Sequence, residues 1–168
     1  MKNRLKILFI ILSVFTISLF HTSLFAQWIQ QPIPTSQVVQ DIHFLDSLHG
    51  WLACSNGLAS DSGLILYTST GGTSWVTQRA VNSSPLYAVR MANLNTGFCV
   101  GGFQQVLKTT NSGLNWINVN TGFANYLNDV SLPNTSGDTA YIIDRTSGEG
   151  IWKTTNGGIN FINVNPSA

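Results

Sequence analysis

Apolar residues in this chain fall into short blocks, each closed by glycine, proline or a cluster of Ser, Thr and Asn. No block sustains a helical period, so the blocks predict strands joined by turns. Three blocks are apolar at every successive position: Trp51-Leu52-Ala53, Phe98-Cys99-Val100 and Tyr141-Ile142-Ile143. A strand with one face in water would alternate; a continuous apolar run means that both faces are covered. Sheets stacked face to face supply that cover. They place Trp51, Phe98, Trp75 and Trp116 in the core rather than on a sugar-stacking platform.

The polar punctuation repeats. The stretch Leu107 to Asn120 recurs as Trp152 to Asn165 and, more loosely, as Leu66 to Gln78. Aligned on Trp75, Trp116 and Phe161, the copies lie 41 and 45 residues apart. Before each aromatic stand a threonine (Thr68, Thr109, Thr154), then a small polar residue (Thr70, Asn111, Asn156), then a glycine (Gly72, Gly113, Gly158). An apolar run, a polar turn whose glycine can take positive φ, and an aromatic-first strand together make a β-hairpin signature. A period of about 40–50 residues suits a four-stranded propeller blade.

The predicted blades are about 37–79, 86–120 and 126–165. The first has strands near Val39–Leu45, Gly50–Cys54, Leu64–Thr68 and Ser74–Gln78. The second has Leu86–Ala92, Gly97–Gly101, Gln105–Thr109 and Asn115–Val119. The third has Leu127–Leu132, Thr139–Asp144, Gly150–Thr154 and Asn160–Val164. Trp28-Ile29-Gln30-Gln31 matches Trp75-Val76-Thr77-Gln78 and predicts a lone outer strand ahead of the first blade. The expected fold class is therefore all-β, a partial propeller of three four-stranded blades plus one N-terminal outer strand.

The turn motif resembles the Asp-box, or BNR, motif of sialidases, sortilin-type receptors and several propeller hydrolases. With Gly50-Trp51-Leu52-Ala53 ahead of it, the pattern resembles most the photosystem II assembly-factor type of BNR propeller, over about residues 28–165. No copy carries the aspartate. Asn111 and Asn156 are mild substitutes, and Thr70 is expected to weaken the first box. In that family the boxes lie at the periphery, so the resemblance implies a structural role for the residues named above.

Residues 1–26 read as a secretory signal peptide. Lys2, Arg4 and Lys6 precede an apolar run, Ile7 to Phe20, that is short for a membrane span, and Ala26 offers a cleavage site before Gln27. Cleavage leaves 27–168 as the mature chain, secreted or periplasmic, with no membrane span. It removes three of the eight basic residues and none of the seven acidic ones, for a net charge of −2. Nucleic acid is excluded as a partner, because phosphate binding needs clustered Lys and Arg.

A closed propeller needs about 4–8 blades. Three blades are an arc, and its two end faces would expose side chains such as Leu52, Ile142 and Ile162. The expected outcomes are pairing with remaining propeller blades, a protein partner or self-association. Cys54 and Cys99 leave the same face of their sheets and so cannot meet between facing blades; they are expected as buried free thiols.

The sequence contains no metal-ligand spacing, no cofactor motif and no nucleophile elbow. Asp41 and Asp129 hold equivalent positions near the start of inner strands two blades apart. They are the candidates for paired-carboxylate hydrolysis of a carbohydrate, against the plainer reading as turn residues. The box turns should share one rim with the first-to-second-strand turns. The opposite rim, carrying Asp61, Arg79, Asn125, Asp144, Arg145 and Glu149, is then the expected binding rim. The function expected is a secreted, non-catalytic module for protein interaction or assembly. The alternative is part of a sialidase- or xyloglucanase-like hydrolase.

Overall fold

The computed structural model describes residues 27–56, 62–122, 126–144 and 150–164. The chain divides into two units, Met1–Gln30 and Gln31–Ala168, and the fold belongs to the second. Blade 1 contains β1 (Val39–Phe44), β2 (Gly50–Cys54), β3 (Gly63–Thr68) and β4 (Val76–Val81). Blade 2 contains β5 (Leu86–Met91), β6 (Gly97–Gly101), β7 (Val106–Thr109) and β8 (Ile117–Asn118). Blade 3 contains β9 (Leu127–Ser131), β10 (Ala140–Asp144), β11 (Ile151–Thr154) and β12 (Ile162–Asn163). Each sheet is antiparallel with its strands in sequence order, so every strand pairs only with its neighbours in the chain.

Alternation across β6 explains its unbroken apolar run. Cys99 packs toward blade 1 in a cluster with Trp51, Ala53, Ile65, Val81, Val89 and Trp116. Phe98 and Val100 pack toward blade 3 with Leu127, Val130, Ala140 and Ile142. Both faces of the middle blade are therefore core, as a stacked sheet requires. A third cluster, Leu52, Cys54 and Leu66 with Ile33, Leu64 and Trp75, forms the outer face of blade 1. Both thiols are buried and free. Burial pushes Cys54 up to about 11 and Cys99 well above the ordinary thiol value, so both pack as small hydrophobes.

Four expectations are corrected. Trp75 is not core like Trp116: it is only partly buried, on the outer face of blade 1, edge-on to Phe44 with ring centroids 6.0 Å apart. Ile142 is not on an end face but fully buried between blades 2 and 3. Leu52 is on an end face yet 2 % exposed, because Ile33, Leu66 and Trp75 close over it. Residues 28–31 form no strand, and Trp28 is 99 % exposed. An outer strand needs three inner ones to pair against, and each sheet already holds its own fourth.

The outer strands also depart from the spans read in the sequence. β4 begins at Val76 and runs on to Val81, while β8 and β12 are two residues each. An edge strand has one neighbour and one solvated face, so burial does little to fix where it ends.

Candidate functional site

Each inner strand carries a β-bulge at the same place. The register passes from Val39↔Cys54 to Asp41↔Ala53, from Leu86↔Gly101 to Ala88↔Val100, and from Leu127↔Asp144 to Asp129↔Ile143. It thereby skips Gln40, Tyr87 and Asn128. Bulges re-aim side chains at sheet edges and beside functional sites. Here the three skipped residues, with Asp41, Ala88, Arg90 and Asp129, line one depression of about 190 Å³ where the inner strands converge.

One guanidinium ties the depression together. Arg90 Nη1 donates to Asp41 Oδ2 in a very close contact, and Nη2 lies 3.4 Å from Asp129 Oδ1. Asp41 Oδ2 also accepts the backbone N–H of Val89 at 2.9 Å, and Arg90 Nη1 donates to the Val89 carbonyl at 2.8 Å. Asp129 Oδ1 accepts the N–H of Val130 at 2.8 Å. Exposure rises from Asp41 (18 %) through Arg90 (28 %) to Asp129 (46 %), so Asp129 is the carboxylate a ligand would meet first. The two sequence candidates are thus brought to one site, through an arginine that no sequence pattern marks.

Beside this cluster His43 Nε2–H donates to the Met91 carbonyl at 3.2 Å, bracing blade 1 against blade 2. Burial lowers the His43 pKa below 6.5; the Met91 bond opposes the shift and Arg90 adds to it. The folded state therefore prefers neutral His43. Its contribution is complete above about pH 6.5 and is lost as pH falls through the lowered value. Denaturant unfolding at pH values from 7 downward should show falling stability, and a shallower fall in His43→Gln. An unchanged slope in the variant would assign the acid sensitivity to other groups.

The box turns share one geometry. Thr68, Thr109 and Thr154 are about 1 % exposed, and each Oγ1 accepts from the N–H of the turn glycine, at 3.0 Å (Gly72), 2.9 Å (Gly113) and 3.0 Å (Gly158). Asn111 and Asn156 then accept from Asn115 N–H at 2.9 Å and Asn160 N–H at 3.0 Å. Thr70 Oγ1 does the same for Ser74 N–H at 3.0 Å. The expected weakness of the first box is therefore corrected: the turn brings the N–H within reach of the shorter side chain. Thr70→Asn should change unfolding free energy by less than about 0.5 kcal/mol. A clear gain in chemical denaturation would show that the hydroxyl is the poorer acceptor after all.

These turns bond to the first-to-second-strand turns, through Gly71 N–H to Leu48 O, Ser112 N–H to Asn95 O and Gly157 N–H to Asp138 O, at 2.8–3.0 Å. The two sets share one rim. Of the residues named for the opposite rim, Arg79 lies inside β4 opposite Ile65, on the outer edge. Asp144 ends β10, where its Oδ2 accepts from Trp152 Nε1 at 3.3 Å. Asp61, Asn125, Arg145 and Glu149 lie outside the described residues. No group of three His, Cys, Asp or Glu converges on a metal site among the described residues.

Residues 21–165 match the family of photosynthesis system II assembly factor YCF48. The chain belongs to that family. It is similar to YCF48 from Cyanidioschyzon merolae at 27 % identity, with a TM-score of 0.65, over 85 % of this chain and 42 % of that one. It is similar to YCF48 bound to D1 peptide at 24 % identity and TM-score 0.63, over 79 % of this chain and 41 % of that one. The Niastella koreensis GH74 enzyme shares the fold, at 21 % identity and TM-score 0.58 over 77 % of this chain and 23 % of that one. The chain thus spans about two fifths of the YCF48 chains it matches. No curated protein is matched.

Proposed function

We propose that the chain is an exported, non-catalytic propeller module that docks a segment of a protein partner at the bulged inner strands. The observation that carries this reading is the state of Asp41, whose Oδ2 already accepts from Val89 N–H and Arg90. A glycosidase needs one carboxyl to donate a proton and a second across the scissile bond. The Arg90 guanidinium contacts both carboxylates and so occupies the space between them that a scissile bond would need. The depression is otherwise lined by polar side chains, Gln40, Tyr87 and Asn128 with the more exposed Asp129, a lining that suits a peptide. Membership of the YCF48 family supports a protein ligand, since a YCF48 structure holds a D1 peptide.

A photo-crosslinking residue at Tyr87 should capture a discrete protein in cells, and one at the distant box-turn residue Leu114 should not. Equal capture at both sites would remove the inner strands as the docking surface. Turnover of sialosides or β-glucans that is lost in Asp41→Asn or Asp129→Asn would establish the hydrolase instead. Export is tested by sequencing the N-terminus of the accumulated protein, expected at Gln27.

A further inference from the structure

β5 starts opposite the end of β6, where Leu86 pairs with Gly101. The tight turn that follows β6 therefore stands on the rim where the bulged ends of the inner strands lie. Gln105 N–H closes this turn on the Gly102 carbonyl at 3.1 Å. Its two central residues, Phe103 and Gln104, take φ of 52° and 64°. Turns with positive φ at both central positions favour Asn and Gly there, because that backbone crowds the Cβ of a larger residue. Among the described residues, Ser83 and Ser112 are the only other non-glycine residues at positive φ. The ring is not buried by this arrangement: Phe103 is 47 % exposed and tilted against Tyr126, with ring centroids 5.1 Å apart.

The turn is braced by the linker between blades 1 and 2. Gly102 N–H donates to Pro85 O at 2.9 Å, and the Gly102 carbonyl accepts from Ser84 Oγ at 2.7 Å. A Cβ on Gly102 would lie 2.9 Å from Pro85 Cγ and 3.3 Å from Tyr126 Cε1, so the backbone sits tightly on both. An exposed phenylalanine alone is ordinary. One held in strained backbone by its surroundings, with much of its ring in water, has the marks of a contact residue.

Tyr126 immediately precedes β9 and stands two residues before Asn128, whose side chain lines the depression. Two strand residues span about 7 Å. We propose that Phe103 and Tyr126 form an aromatic anchor for the protein segment that docks in the depression, and that the segment carries an apolar side chain about two to four residues from its contact with Asp129. The partner is then met by polar groups at Gln40, Tyr87, Asn128 and Asp129, and by ring faces beside them. Aromatic side chains provide such contact area at small cost in conformational entropy.

The inference rests on the docking site proposed above, and its tests separate the two. A photo-crosslinking residue at Gln104, which leaves Phe103 in place, should capture the same protein as one at Tyr87. The two crosslinks should map within about four residues of each other, with an apolar residue at the Gln104 end. Capture from Tyr87 alone would retain the docking site and overturn the anchor; capture from neither would remove both. A synthetic peptide of the mapped segment then gives affinities. Phe103→Asn combined with Gln104→Gly should melt several degrees higher, because the strain is relieved, and should bind that peptide about tenfold more weakly. Replacing the peptide's apolar residue with serine should weaken binding by a similar factor, and both changes together by little more than either. Higher melting with unchanged affinity would show that the rings are not used. Lower melting would assign Phe103 to packing on Tyr126 and would likewise overturn the proposal.

Discussion

Gln78→Ala is expected to cost the domain about 2–5 kcal/mol, more than any other polar substitution in it. One amide satisfies three groups in the first junction. Its Oε1 accepts from Trp51 Nε1 at 3.2 Å and from Trp116 Nε1 at 3.1 Å, and its Nε2 donates to Ser112 O at 2.8 Å. Truncation orphans two indole N–H groups in a buried setting, at about 1–3 kcal/mol each. Gly113 leaves room for nothing else: a Cβ there would lie 1.8 Å from Gln78 Oε1. Chemical denaturation measures the loss, and a double-mutant cycle tests its cause. In a Trp116→Phe background one N–H is already absent, so the cost of Gln78→Ala should shrink by roughly one unsatisfied bond. Strict additivity of the two substitutions would disprove the assignment.

Trp116→Ala should cost about 3–5 kcal/mol, as truncation of a buried tryptophan does. Trp116 is 4 % exposed and shares a cluster with side chains of both blades 1 and 2. Trp75→Ala should cost clearly less in the monomer, because Trp75 sits on an uncovered face and has less burial to lose. The comparison is best made by denaturation at two protein concentrations. A gap between the two variants that narrows as protein is concentrated would mean that Trp75 becomes covered on association. Equal losses under dilute conditions would mean that the face is already closed in the monomer.

The repeat made the blades legible. Thr68, Gly72 and Trp75 recur at fixed offsets because the turn needs a buried acceptor, a positive φ and an apolar anchor at those places. β2 and β6 were read to the residue because burial on both faces leaves an unmistakable apolar run. What stayed hidden depends on contacts between blades. Trp75 and Trp116 are identical in their repeats, and only the presence of a preceding blade separates them. Gln78 looks like any polar residue on an outer strand until two indoles are seen to meet it. The bulges did leave a trace: Val39 and Ile42, Leu86 and Val89, and Leu127 and Val130 are apolar pairs three apart within strands, a spacing that regular pleating does not produce. Arg90 gave none, since nothing local marks a residue that bridges carboxylates from two other blades.

Strict pairing between sequence neighbours has a bearing on how the molecule comes into being. All-β domains are slow to fold because distant segments must find one another before any reward arrives. In this chain no strand waits for a distant partner, since each sheet is completed by consecutive strands. As synthesis proceeds from the N-terminus, one four-stranded unit can be finished while the next is still being made, and it presents a ready template on which its successor condenses. Assembly then resembles laying courses of brick: growth is vectorial, errors stay confined to the newest layer, and the sequence can be lengthened or shortened by whole courses without rewriting those already laid.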